Sequence, residues 1–462
     1  MLTIAFPIAL QNLLTTTASM VDTIMIGRLG ESCVAAVGIC SQISSLFFSC
    51  YWGFASASIL FFSQYWGADD EKGINRTFGI TFICMAIVGF AFASLCIIRP
   101  EFLLGVYTDK EVFIRIGKPY MRIVGWAYPL QVFAVLISFL LRSTERVKAP
   151  LICSIVGLVV NFCLNFVLIY GKFGAPKMGA AGGTLASAII NLLLLFIYLM
   201  RSECKVRIRL SQMFLFHGGF IKVYLSNAFP ILCNELFYGV GQMLINIVIG
   251  HQNESAIAAM AAFRVCEGFV YAFFGGLSNA TSVVIGQSVG AGGHKGAYRF
   301  MKRSALFCPA VTFGIVLICA LLHEPLFGLF GLGDQALRYG MYMLYIYLFF
   351  GAVRTCNYIM NEGYRAAGET RVGTYVEIGG LFLVSVPATW IAGMVLHLPF
   401  LAVFSFVYTD ELVRLAIELV YTRSGKWVKP VTEAGRKTLP EFKDWLKNRN
   451  NRKRNATSIT NN

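Results

Sequence analysis

The 462 residues are 57% hydrophobic and only 14% charged, with mean hydropathy +0.66, a balance that excludes an ordinary soluble globular domain. The net charge of +15 does not point to nucleic acid, because Lys and Arg gather between apolar runs, in Lys72–Arg76, Arg142–Lys148, Arg201–Arg209, Lys295–Arg303, Arg365–Arg371 and the tail from Arg423. Each cluster follows an even-numbered run, so the positive-inside rule puts these loops and both termini in the cytoplasm of a multi-pass plasma (inner) membrane protein.

Twelve runs are long enough to cross about 30 Å of hydrocarbon at about 1.5 Å per residue. They predict helices over 2–26, 34–65, 77–98, 118–142, 150–171, 179–200, 223–250, 256–287, 301–322, 338–363, 373–395 and 397–421. The expected architecture is an all-α polytopic protein: a six-helix lobe over 1–200, a cytoplasmic linker at 201–222, a second lobe over 223–421 and a basic tail at 422–462. The linker reads as an amphipathic surface segment, and the tail as a flexible basic extension near anionic lipid. The thirteen cysteines are scattered singly, as small buried hydrophobes are, and the five histidines fall in or near predicted loops.

In the first run, SMVDTIMIG holds Asp22 inside an otherwise uncharged stretch. A charged carboxylate at the bilayer centre costs about 2.5–3.5 kcal/mol, so an acid kept there faces a polar cavity and takes up an ion or proton, or else hydrogen-bonds a neighbouring helix. In the fifth run Asn161 and Asn165 stand at i and i+4 on one face, and in the sixth Ser187 follows the small-residue stretch GAAGGTLAS. Ser187 leaves a hydroxyl and carbonyls available as hard oxygen ligands beside Asp22, whereas for Asn161 and Asn165 alone interhelical hydrogen bonding is the plainer reading. The seventh run carries Glu235, Gln242 and Asn246 on one face, and its own helix offers Glu235 no cation within a turn. The eighth has Arg264 and Glu267 at i,i+3, equally readable as a self-neutralising pair or as part of a substrate path. The tenth aligns Arg354, Asn357 and Asn361 and ends near Glu362, and Glu377 lies in the eleventh.

The chain repeats itself at a shift of 223 residues, Phe6-Pro7 falling on Phe229-Pro230, Gly27 on Gly250, Gln64 on Gln287, Gly67 on Gly290 and Arg142 on Arg365 without a gap. Because six helices is an even number, the halves run in the same direction, the parallel-repeat plan of transporters. Asn12 aligns with Glu235 and Asp22 with Ile245, so the halves place their acids differently. No phosphate-cradling GxxxxGK[ST] and no HExxH occurs, which leaves an ion gradient as the energy source and, with the repeat, makes a membrane enzyme or receptor the weaker reading.

With FP…VDTIMIGRLG, GFASASILFFSQYWGA, RSTERVKAP, LNFVLIYG, FPILCNELFYGVGQ, SVVIGQSVGAG and RAAGETR in view, the chain resembles the multidrug and toxic compound extrusion family from Phe6 to about Tyr421. The resemblance implies two bundles around a central cavity and export of amphiphilic organic cations in exchange for H+ or Na+, with no other cofactor and a monomer sufficient. It implies that Asp22 is the first-helix acid, with Asn161, Asn165 and Ser187 as cation-site partners. Glu235 then serves coupling or cationic substrate, with Gln242, Arg264, Glu267 and Arg354 around it and Tyr51, Tyr238 and Tyr271 lining the cavity. Arg354 stands where relatives tend to have an acid. A lipid-linked oligosaccharide flippase of the same superfamily is the alternative that Arg264 and Arg354 keep open.

Overall fold

The structure, a computed structural model, describes residues 2–27, 31–170, 180–200, 207–328 and 333–460. Within these ranges the side chains of residues 2, 19–24, 26–27, 31, 34, 169–170, 180–181, 210, 450 and 452–460 are not described. In the first lobe α1 (Leu2–Gly27), α2 (Glu31–Gly67) and α3 (Glu71–Ile98) are followed by the short α4 (Pro100–Gly105), then α5 (Glu111–Ser143), α6 (Lys148–Tyr170) and α7 (Ala180–Met200). A four-residue α8 (Leu210–Met213) precedes the second lobe: α9 (Gly218–Gly250), α10 (Glu254–Gly290), α11 (His294–Leu321), the short α12 (His323–Gly328) and α13 (Asp334–Ala366). Ten helices are long and apolar enough, over their described residues, to cross a membrane.

The last two predicted runs differ from plain helices. The eleventh is α14 (Arg371–Gly380), a π turn at Leu381–Ser385, α15 (Val386–Trp390) and a second π turn at Ile391–Val395. Pro387 supplies no N–H to this stretch, and the helix widens around it. The twelfth breaks at Val407–Tyr408 into α16 (Phe400–Phe406) and α17 (Thr409–Ser424), the latter opening with Asp410 and Glu411 where the helix dipole favours anions. The tail is also corrected: α18 (Glu433–Thr460) is a helix docked on the bundle, with Trp427, Phe442 and Leu446 buried against Tyr298 and Met301. Aromatic residues at helical spacing among the tail's charges provide that apolar face.

Each lobe has its own core, one around Phe47, Tyr128 and Leu136, the other around Phe263, Tyr347 and Phe404. The lobes meet reciprocally, α1 on α10 and α2 on α9, pairs that the 223-residue repeat exchanges. Their closest approaches exchange too. A Cβ on Gly53 would lie 2.6 Å from Leu232 Cα, and one on the repeat-related Gly276 would lie 2.6 Å from Ala9 N. At the ends of α2 and α10, a Cβ on Gly67 would fall 2.1 Å from the Gln287 carbonyl oxygen, and one on Gly290 would fall 2.0 Å from that of Gln64. The side-chain amides close the same seam: Gln64 Nε2 donates to the Ala366 carbonyl at 2.8 Å, and Gln287 Nε2 to the Ser143 carbonyl at 3.1 Å. Only glycine permits such backbone-on-backbone contact, and it pinches the lobes together at the end where α2 and α10 finish. Away from that end Thr15, Thr17, Ser41, Ser45 and Arg264 are exposed.

Candidate functional site

Among the described residues, two cavities occupy equivalent places in the two lobes. The first, about 340 Å³, is lined by Thr15 and Ala18 of α1, Gln131 of α5, Ser154 and Asn161 of α6, and Thr184, Ser187 and Asn191 of α7. Its polarity is carried by neutral hydroxyls and amides. Gln11 Nε2 donates to Ser154 Oγ at 2.6 Å, Ser187 Oγ donates to the Thr184 carbonyl at 3.0 Å, and the buried Asn191 Oδ1 accepts no hydrogen bond. Asn165 sits fully buried beneath, donating to Asn161 Oδ1 at 3.1 Å, where Gly183 allows α7 to close on it. The structure thus brings Asn161 and Ser187 to one cavity wall with Asn165 behind. The side chain of Asp22 lies outside the described residues; α1 continues through its backbone, and Thr15 and Ala18 precede it by seven and four residues.

The second cavity, about 270 Å³, is lined by Tyr238, Gln242, Arg264, Glu267, Leu381, Arg354, Tyr408, Asp410, Glu411 and Arg414. It is the repeat-mate of the first: Thr15 maps to Tyr238, Gln131 to Arg354, Leu158 to Leu381, Ser187 to Asp410, Ala188 to Glu411 and Asn191 to Arg414. Even the flanking bond repeats, since Asn234 Nδ2 donates to Glu377 Oε2 at 2.9 Å at the positions equivalent to Gln11 and Ser154. The chemistry is exchanged nonetheless. Where the first lobe has amides and hydroxyls, the second has an ionic network.

Arg354 Nη1 lies 2.5 Å from Glu267 Oε1, Nη2 donates to the Tyr238 hydroxyl at 2.9 Å, and Nε is 3.7 Å from Glu411. The Tyr408 hydroxyl donates to the same Glu267 at 3.1 Å. Arg414 stands 3.4 Å from Glu377, 3.6 Å from Asp410 and 3.6 Å from Glu411. Arg365 reaches Glu362 at 2.7 Å and both Glu235 and Glu377 at 3.7 Å. Deeper in α17, Glu418 is fully buried with neither carboxylate oxygen hydrogen-bonded.

Two expectations are corrected here. Arg264 and Glu267 do not form the i,i+3 pair: Glu267 turns to Arg354, and Arg264 donates to Asn246 Oδ1, because helix-to-helix contacts outcompete spacing along one helix. The cation that its own helix denies Glu235 comes from α13, where Arg365 stands 3.7 Å away. Tyr51 lines neither cavity; it is buried in the first core beside Phe47, whose ring stacks on Tyr128 at 4.1 Å. Tyr238 is in the second cavity, and the exposed Tyr271 meets the Tyr358 hydroxyl at 3.1 Å. Of the cysteines, Cys40, Cys96, Cys153, Cys266, Cys308 and Cys356 are buried and Cys163 is exposed.

Asp410, Glu411, Arg414 and Glu418 were not singled out in the sequence. Their signal was there: DELVRLAIE sets charges four residues apart inside a segment long enough to span the bilayer. Replacing Arg414 by leucine leaves Glu377, Asp410 and Glu411 without their shared cation, and the expected cost is about 3–5 kcal/mol, read as a lower melting temperature of the purified protein.

A family model described as MatE matches residues 7–167 and 230–391, one copy in each lobe. Among curated relatives, an uncharacterized transporter, YisQ, of Bacillus subtilis is 22% identical over 410 residues, covering 88% of this chain and 90% of that one. A probable multidrug resistance protein, NorM, of Thermotoga maritima is 22% identical, with 92% of each chain covered. Two solved structures share the fold at 18% identity over 91% of this chain and 94% of theirs. One is an outward-facing multidrug resistance MATE family transporter of the MOP superfamily, with TM-score 0.81; the other is a MOP superfamily transporter from Pyrococcus furiosus, described as having a binding pocket of reverse polarity, with TM-score 0.80.

Proposed function

The chain belongs to the MatE family of transporters, and from that premise we propose that it is a secondary antiporter exporting amphiphilic organic cations across the plasma membrane in exchange for protons or sodium. The observation that carries the reading is the exchange of chemistry between the two equivalent cavities. In the second, guanidinium groups of Arg354 and Arg414 stand among the acids as tethered cations. In the first, neutral oxygen donors occupy the corresponding places, including the unbonded Asn191 Oδ1, and a mobile cation takes the position that a side chain fills in the other lobe. Asp22 supplies the negative charge to that site, following Thr15 and Ala18 along α1. Proton or sodium arrives there from outside and organic cation from the cytoplasm, each favouring a different lobe arrangement by its differential affinity.

The Lys and Arg clusters support putting both termini, and with them the pinched end, in the cytoplasm, so that the arrangement described is the outward-open one. Relatives named as multidrug resistance proteins support a small-molecule substrate. A single chain contains both lobes and both cavities, which supports a monomeric transport unit. The deciding experiment is uptake of a fluorescent organic cation into inverted vesicles with a pH gradient and a sodium gradient imposed separately. Uptake driven by one of them names the coupling ion; uptake indifferent to both overturns antiport.

Removing first-cavity oxygens tests the ion's address. The Asn161→Leu, Ser187→Ala protein is expected to need about 10–100-fold more of the coupling ion for half-maximal exchange, measured by titrating the driving ion. An unchanged requirement would move the ion away from this cavity.

A further inference from the structure

The chain beyond Ser424 lies outside the residues that the family model matches, and it is built into the pinched end of the bundle. Gly425, at φ +66°, ends α17 and turns the chain; Trp427 is then fully buried, its indole N–H donating to the Thr422 carbonyl at 3.1 Å. From there the backbone crosses the seam between the lobes. Lys429 N–H donates to the Ala367 carbonyl at 2.9 Å, and Thr432 Oγ1 donates to the Gly290 carbonyl at 2.8 Å. His294 Nε2 lies 2.8 Å from the Gly435 carbonyl oxygen, and Thr438 Oγ1 donates to the Gly292 carbonyl at 3.1 Å. These four contacts fasten residues 429–438 to the second lobe.

The hydrogen bond to the first lobe is of a different kind. Val431 N–H donates to Gln64 Oε1 at 2.8 Å, while Nε2 of the same fully buried amide donates to the Ala366 carbonyl at 2.8 Å. Both ends of the Gln64 amide are therefore held by the second lobe and its extension, and the backbone of the same residue is what Gly290 packs against. Val431 also packs against the cluster of Phe61, Tyr224 and Ile231, formed by α2 and α9. Rocking the lobes apart at this end separates Gln64 from both partners, whereas the strap's contacts to the second lobe stay intact.

We propose that residues 427–438 form a latch, fixed to the second lobe and closing on Gln64, that holds the pinched end shut and must release that amide before the end opens. This goes beyond the transport reading and rests on it only in supposing that the lobes rock. A strap anchored by several bonds on one side and one buried amide on the other opens without unfolding, which distinguishes a latch from a permanent brace.

The test is hydrogen-exchange mass spectrometry on the full chain in nanodiscs, comparing the wild type with a Val431→Pro, Thr432→Val protein, which lacks the donor to Gln64 and the hydroxyl on Gly290. The expected result is several-fold faster exchange across 60–67 and 286–293. Val431→Ala, which keeps the N–H, is expected to exchange as the wild type does, and equal loosening by Val431→Ala would overturn the proposal. So would retained protection of 60–67 and 286–293 when the strap amides 427–438 exchange freely. If the strap stays bound in the double variant, Gly435→Val forces it off, since a Cβ there meets Pro430 Cβ at 2.6 Å and the Val289 carbonyl oxygen at 2.7 Å; the same two outcomes then apply. Cation uptake by wild-type vesicles, measured separately, bears on antiport and leaves the exchange result to judge the latch.

Discussion

Asp22→Asn protein is expected to insert, fold and purify like the wild type and to have lost ion-coupled export, by about tenfold or more at any imposed gradient. Asp22 is the sole acid within the apolar runs of the first half; the other acids there, such as Glu31, Asp69, Asp70, Glu101 and Glu111, lie at run ends or between runs. Asparagine keeps the shape and one carbonyl oxygen but cannot carry a proton at neutral pH or neutralise sodium. The polar residues lining the first cavity, Thr15, Gln131, Ser154, Asn161, Thr184, Ser187 and Asn191, are all uncharged, so none of them replaces the lost charge. Counterflow of labelled cation without any gradient separates the two steps: an exchange that survives in the variant while gradient-driven uptake is gone locates the defect in coupling. Normal gradient-driven export by a well-expressed variant would remove Asp22 from the mechanism.

The second large effect falls at the seam. Gly290→Leu places a branched side chain where even a Cβ would sit 2.0 Å from the Gln64 carbonyl oxygen and 2.6 Å from its Cα, both backbone atoms with nowhere to yield. The α2–α10 end cannot then close, and the arrangement described here becomes inaccessible. Overpacking of this kind costs about 1–3 kcal/mol in a core that relaxes, and a two-state transporter relaxes by changing state. The expected outcome is a folded protein held open at the pinched end, inactive in transport, with residues 60–67 and 286–293 freely exchanging. Gly67→Leu should behave alike, because its Cβ would meet the Gln287 carbonyl oxygen at 2.1 Å. Wild-type transport by either variant would show that the glycine contact does not govern closure.

Much of this was legible beforehand. Hydropathy marked the twelve runs, the glycine and proline matches at a constant shift revealed the repeat, and Asn161 with Ser187 reached one cavity because spacing along α6 and small residues on α7 decide how those helices meet. What sequence withheld were choices between partners. Glu267 has Arg264 a turn away and still pairs with Arg354, since which of two cations a carboxylate meets depends on the rotation of α10 against α13. The charges of α17 are diluted by a stretch that reads as one apolar run, although the repeat maps Ser187 and Asn191 directly onto Asp410 and Arg414. The tail's Lys and Arg point to a solvated extension, but Phe442, Trp445 and Leu446 outweigh them by burying one face of α18 in the cluster that also holds Trp427.

The glycine seam also bears on voltage. Backbone packed on backbone leaves no room for a column of water, while the exposed polar residues elsewhere in the cleft admit solvent and ions. With the pinched end in the cytoplasm, as proposed above, the electrical potential of the outer solution would extend down the cleft, and the membrane field would be compressed into the thin layer between the cavities and the closed end. Any charge whose access switches across that layer moves through most of the field, worth about 2.3 kcal/mol per elementary charge at 100 mV. Whether the exchange generates current then depends only on the difference in charge between what leaves and what enters, whatever the depth of the two sites.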